Sequence, residues 1–188
     1  MINTRVVIIG GGYAGLTAAK RLKRANPHLS VSLIDAMADF QERIRLHQVA
    51  AGQALPKFQY CEFLNSVGAH FIQAKVIRLQ PSINTLTARS PDGTIFEIEY
   101  DYLVYALGSS TDNAAIPGAD AYTDRLQSVD GATGIYERLV RNRGARVIIV
   151  GGGLTGIETA AELRESFPHL SIQLLTDKPL SATSSING

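Results

Sequence analysis

Two stretches of this chain share one pattern of apolar and polar positions: a β-branched run, a glycine cluster, apolar residues at helical spacing, then a second β run. Arg5–Ile9 (RVVII) and Arg146–Val150 (RVIIV) predict buried parallel strands. After the glycines, Ala14, Ala18 and Leu22 in one stretch and Ile157, Ala160 and Leu163 in the other predict one face of a helix. Pro27 and Pro168 end these helices, and residues 30–34 and 171–175 read as the next strands. Between the two stretches the pattern changes. Ile44, Leu46, Val49 and Ala50 suggest a short helical face. From residue 70 the chain reads as β, with strands at 75–79, 85–88 and 95–100 and turns at Pro81-Ser82 and Pro91-Asp92-Gly93. Residues 102–107 predict a further buried strand. A stretch rich in Ala, Asp, Pro and Gly then reads as a connection to about residue 124, and residues 129–142 read as a helix with a glycine-weakened start.

The two stretches are an internal repeat. Residues 5–34 and 146–175 align at a constant offset of 141 without a gap, and 14 of the 30 positions are identical. Each copy is a strand–helix–strand unit, which predicts an α/β chain of Rossmann-like doubly wound units with a β-meander between them. Gly10, Gly12 and Gly15, and again Gly151, Gly153 and Gly156, form G-x-G-x-x-G between strand and helix. The first glycine permits the tight turn, the second admits a pyrophosphate next to the backbone, and the third lets helix and strand approach. The helix N-terminus adds unpaired N–H groups and a partial positive charge. The first unit ends in Asp35, placed to accept from an adenosine ribose, which fits FAD. In the same register the second copy has Thr176, with Asp177 and Lys178 following, so NADH and NADPH both remain open.

Composition narrows the partners. A net charge of +1 over 188 residues gives no electrostatic reason to expect nucleic acid. The single cysteine, Cys61, excludes an intrachain disulfide and a multi-cysteine metal site, and no metal is expected. No segment approaches the roughly 20 apolar residues that span a bilayer. The expectation is a cytoplasmic protein, or one held at a membrane surface only peripherally. Arg43 and Arg45 are candidates to neutralise the FAD pyrophosphate. His47 stands without a visible partner and reads as structural or surface.

Taken together, GGGYAG at 10–15, YDYLVYALGSST at 100–111, IPG at 116–118 and GGGLTGIETAAEL at 151–163 resemble the two-dinucleotide-binding flavoproteins of the pyridine nucleotide–disulfide oxidoreductase superfamily. Within it the chain looks most like type II NADH dehydrogenases and apoptosis-inducing-factor-like NAD(P)H:quinone oxidoreductases. The resemblance covers essentially the whole chain. It implies an FAD domain over residues 1–112 and an NAD(P)H domain over 113–188. It implies FAD contacts at Gly10, Gly12, Tyr13, Ala14, Gly15, Asp35 and Arg43, and NAD(P)H contacts at Gly151, Gly153, Thr155, Gly156 and Asp177. Val76, at the start of the meander, would make a backbone contact to the FAD adenine. Ala106 and Gly108 would flank the flavin, although Leu107 stands where relatives carry threonine. Glu158 matches the glutamate close to where nicotinamide meets flavin; a first-turn glutamate favoured by the helix dipole is the alternative. One cysteine removes the thiol pair of the disulfide reductases, leaving direct hydride transfer from NAD(P)H to flavin and on to an external acceptor, with quinone implied by the family.

The resemblance also implies that the chain is the N-terminal part of such a protein. The return into the FAD domain, with its Gly-Asp pair, and a C-terminal domain serving quinone, membrane or dimer contacts would lie beyond it. The tail at 181–188 reads as disordered or frame-altered, and a half-built sheet would expose apolar surface. Two functions therefore stand: an FAD-dependent NAD(P)H oxidoreductase, as fragment, split subunit or homo-oligomer, and a non-catalytic nucleotide-binding remnant.

Overall fold

The computed structural model describes residues 4–109, 116–177 and 179. Lys178, residues 110–115 and the tail at 181–188 lie outside them. Contacts divide the chain into two units, Met1–Gln41 with Lys57–Ser109, and Glu42–Pro56 with Ser110–Gly188. The division is not a single cut: residues 42–56 go with the second unit, which a boundary near residue 112 does not contain.

In the first unit, β1 (Arg5–Ile9), β2 (Ser30–Asp35), β3 (His70–Gln73) and β7 (Tyr102–Tyr105) form a parallel sheet in the order β3-β2-β1-β7. β1 is central, and its period-two alternation fills both faces. Val6 and Ile8 point to a core with Leu16 and Ala19 of α1 (Tyr13–Ala25) and with Tyr60 and Leu64 of α3 (Tyr60–Ser66). Val7 and Ile9 point to a core with Leu86, Ala88 and Tyr100. That second core is roofed by an antiparallel meander of β4 (Lys75–Gln80), β5 (Thr85–Arg89) and β6 (Ile95–Glu99). Ile8, Ile9 and Leu33 are fully buried, each contributing about 1.5–3 kcal/mol of transfer free energy.

Two expectations are corrected here. Ala14 is exposed; the buried face of α1 runs through Gly15, Leu16 and Ala19, because Gly15 is the point of contact with the strand turn. The strand expected at 102–107 ends at Tyr105 and is not buried throughout. Among the described residues β7 is the sheet edge, and Tyr102 and Tyr105 are exposed while Leu103 and Val104 are half-buried.

In the second unit, β8 (Arg146–Val150) and β9 (Ser171–Leu175) pair in parallel. α6 (Leu154–Ser166) and α5 (Val129–Arg141) bury Leu163 and Leu139 in a core with Ala51, Phe167 and Leu170. The 3-10 turn Arg43–Arg45 and α2 (Leu46–Ala50) add Leu46 and Ala50 to a cluster with Ala132 of α5. Ile44, read as part of the same apolar face, is exposed. Ser128 caps α5 through the Gly131 N–H at 3.1 Å. Gly131 is needed there, since a Cβ would stand 2.8 Å from the Arg125 carbonyl oxygen. The connection read up to residue 124 contains a short helix, α4 (Ala119–Tyr122). β8 and β9 are half-exposed rather than buried: Ile148, Val150 and Leu175 face outward. Among the described residues this sheet has two strands, and α6 covers only one face. No helix among the described residues is long and apolar enough to cross a membrane.

Candidate functional site

Each glycine fingerprint is a turn whose three glycines meet three different demands. Gly10 follows β1 at φ 102°, in the region that favours glycine, and its N–H donates to the Ile34 carbonyl at 2.8 Å. A Cβ on it would stand 2.4 Å from the Ala106 carbonyl oxygen. That oxygen is brought there by the chain leaving β7, tied by the Ala106 N–H to the Ile9 carbonyl at 2.8 Å. A Cβ on Gly15 would overlap the Gly10 carbonyl oxygen at 1.9 Å, so α1 lies directly on the turn. Gly12 differs from both: it has an ordinary φ of −65°, and a Cβ there would meet nothing within 4 Å. The fold itself does not need glycine at residue 12.

The second turn repeats this geometry. Gly151 has φ 117° and donates to the Leu175 carbonyl at 2.8 Å. A Cβ on Gly156 would stand 2.0 Å from the Gly151 oxygen, while Gly153 has nothing within 4 Å. Neither Gly12 nor Gly153 supplies a side-chain cap, and neither α1 nor α6 carries an acidic residue in its first turn. The positive ends of both helices are left to whatever occupies the open glycine.

The middle glycine of each GGG was legible as a repeat but not singled out. Its reason is local crowding: a Cβ on Gly11 would stand 2.4 Å from the Tyr60 ring, and one on Gly152 2.4 Å from Thr176 Oγ1. Asp35 accepts from the Gly11 N–H at 2.6 Å and from the Met37 N–H at 2.9 Å. The carboxylate is therefore fixed beside the turn with lone pairs to spare. Tyr60 is buried (2% exposed). Burial first, then the charge of Asp35, pushes its phenol well above the ordinary tyrosine value. Since the neutral form is the one the fold accepts, its contribution is complete below about pH 10 and declines above it as the unfolded chain ionises. Tyr60→Phe is expected to flatten the alkaline loss of stability, read from urea midpoints between pH 8 and 11.

The other expected residues scatter around these turns. Tyr13 is half exposed at the start of α1, with its ring edge-on to Phe40 at 5.0 Å. Val76 is half-buried against the meander core at a bulge in its pairing with β5. Gly108 has φ 72°, so the glycine of Ala106-Leu107-Gly108 is required by the backbone, whereas Leu107 is exposed and makes no such demand. Thr155 and Asp177 are exposed. Arg43 is exposed in the 3-10 turn of the second unit, and Arg45 is engaged by Glu42 and Gln48 at 3.1 and 2.7 Å. Glu158 is not a first-turn residue, since α6 begins at Leu154, so the dipole does not account for it. Of the two readings of His47, structural or surface, its burial fits the first, and its Nδ1 lies 3.8 Å from Oε2 of Glu158.

Known proteins share this arrangement. Ferroptosis suppressor protein 1 of Xenopus tropicalis is 31% identical over 179 residues, which are 94% of this chain and 44% of that protein. The alternative NAD(P)H-ubiquinone oxidoreductase C1 of Arabidopsis thaliana is 28% identical, over 86% of this chain and 36% of its own. The structure of NDH2 from Plasmodium falciparum in complex with NADH superposes with a TM-score of 0.76 at 21% identity, over 92% of this chain and 41% of that one. The chain thus spans less than half the length of these relatives. Residues 4–185 match one family throughout, and with its two fingerprint turns the chain belongs to the pyridine nucleotide-disulphide oxidoreductase family.

Proposed function

We propose that this chain supplies the FAD- and NAD(P)H-binding turns of an NAD(P)H oxidoreductase that reduces an external acceptor, with a quinone as that acceptor. The observation that carries the reading is the duplicated turn: in each copy two glycines are required by the fold and one is left open. The first turn fits FAD. Gly12 and the uncapped end of α1 would hold the pyrophosphate, and Asp35 would accept from the ribose. Tyr13, Ala14, Val76, Ala106 and Gly108 complete the proposed FAD contacts, with Arg43 as a further cation. The second turn would hold NAD(P)H through Gly153, Thr155 and the start of α6. The chemistry supplied by the bound groups is hydride transfer from NAD(P)H to flavin and delivery of the electrons to the acceptor. The residues' part is to orient the two nucleotides, and Glu158 would stand where their rings meet. Thr176 and the exposed Asp177 would set the choice between NADH and NADPH. The quinone is supported by the name of the Arabidopsis relative, and a place in the cytoplasm or at a membrane surface belongs to the same reading.

A second reading, nucleotide binding without turnover, is favoured by the outward-facing Ile148, Val150 and Leu175 of the second unit. A visible spectrum of the purified chain, before and after anaerobic NADH and then NADPH, separates the two. Flavin bands that bleach with one nucleotide are expected. Bands that persist with both nucleotides favour binding alone, and absence of flavin after soaking with FAD overturns the FAD assignment.

A further inference from the structure

The second unit holds a histidine–glutamate contact that the two fingerprint turns do not explain. His47 lies on α2, a helix of five residues, too short to be placed by its own stability. Its place is set by packing: Leu46 and Ala50 against Ala132, and Ala51 in the core with Leu139 and Leu163. Gly52 follows at φ 95°, with the Tyr136 ring 2.5 Å from where a Cβ would stand. Gln53 then donates from Nε2 to Oε2 of Glu162 at 2.9 Å. The segment is thus fixed to α6 on the polar side at two points, Gln53 on Glu162 and His47 on Glu158. A cleft of about 300 Å³ lies here, lined by His47, Glu158, Ala161, Glu162 and Glu165.

Packing alone does not call for an imidazole at residue 47. The His47 side chain is 90% buried, and burial of a polar group favours a polar neighbour; the Glu158 carboxylate faces it across the cleft. The separation of 3.8 Å is longer than a hydrogen bond, and it becomes an ion pair only when the imidazole carries a proton. Glu158 is half exposed and lies past the first turn of α6, so neither burial nor the helix dipole fixes its carboxylate. We propose that His47 is the positioning residue for Glu158: the buried imidazole, held by α2, keeps the carboxylate at one place on the rim of the cleft. The functional consequence rests on the reading that Glu158 serves bound NAD(P)H.

Labelled imidazole and carboxyl signals of the full chain test the pair without turnover. Glu158→Gln, a change of charge at a half-exposed site, is expected to move the His47 signals and leave those of His28, His70 and His169 in place. His47→Leu is expected to move the Glu158 carboxyl signal, and His47→Gln, which keeps a donor, to restore it partway. NADH affinity, read by titration, is expected to fall about tenfold in Glu158→Gln and in His47→Leu, and no further in the double variant. Unmoved His47 signals, or losses that add, overturn the proposal; Glu158→Gln carries the test if His47→Leu does not fold. Moved signals in a chain that takes up no NADH support the pair and overturn the nucleotide reading instead.

Discussion

Gly12→Leu is expected to strip flavin from the purified chain while leaving it folded. Residue 12 has φ −65° and ψ −177°, extended backbone that any residue adopts, and a Cβ there meets nothing within 4 Å. The native glycine gives α1 no side-chain cap to lose. Replacing glycine at an N-cap by an aliphatic residue costs up to about 1 kcal/mol, a fall of about 4–8 °C in melting temperature for a unit of this size. The leucine would occupy the open space beside the helix end where the pyrophosphate is proposed to sit, and a buried phosphate group cannot share it. The expected readouts are a flavin-to-protein absorbance ratio at least about tenfold lower, corresponding to about 1.4 kcal/mol or more of lost binding, and a cooperative melt close to that of the parent chain. Flavin retained at the parent ratio would place the pyrophosphate elsewhere and remove the main support for the FAD assignment.

The roles that the motif implied for the three glycines acquire a geometric basis in the structure: Gly10 and Gly15 are crowded or strained, and Gly12 is open. The G-x-G-x-x-G spacing, the flanking strands and the 30-residue repeat at an offset of 141 were legible, because parallel strands and helices impose periods of 2 and 3.6 on the residues themselves. What crowds Gly10 and Gly11 was not. It depends on Ala106 and Tyr60, which approach the turn from β7 and α3 through long-range pairing. For the same reason RVVII and RVIIV read alike and end in different surroundings. β1 has neighbours on both sides and a core on both faces, whereas among the described residues β8 has one partner and a core on one face.

The stretch at 42–56 was least legible. Its apolar spacing marked a helix, and Leu46 and Ala50, four apart, are indeed buried. Nothing local says that this helix packs with α5 and α6 rather than with the unit that flanks it in sequence. Gln53 meets Glu162 across 109 residues, and such a pairing leaves no trace in a short-range pattern. The neighbour of His47 was hidden on the same ground: a histidine looks unpartnered when the group facing it lies on a distant helix.

Gly15→Ala is expected to destabilise the first unit by about 2–3 kcal/mol, against the direction of helix propensity. Within a helix alanine is favoured over glycine by about 1 kcal/mol, so propensity alone predicts a stabilised chain. The Cβ, however, would stand 1.9 Å from the Gly10 carbonyl oxygen and 3.1 Å from its carbon. No rotamer relieves a clash between a Cβ and a backbone oxygen. The oxygen cannot easily turn away, because Gly10 is held by its N–H on the Ile34 carbonyl and by its close approach to Ala106. Relief requires α1 to lift from β1 by about an ångström, loosening Leu16 and Ala19 from Val6 and Ile8. Overpacking costs typically about 1–3 kcal/mol, and about 3–4 kcal/mol where backbone rather than a side chain must move, as here. With the propensity gain subtracted, a fall of about 10–20 °C in melting temperature is expected, read by circular dichroism. Gly156→Ala should act in the same way on the second unit, where the overlap with Gly151 is 2.0 Å. The sign decides the matter: a rise in melting temperature would mean that propensity outweighs the contact, and that α1 does not rest on the glycine turn as closely as a pyrophosphate site at its N-terminus requires.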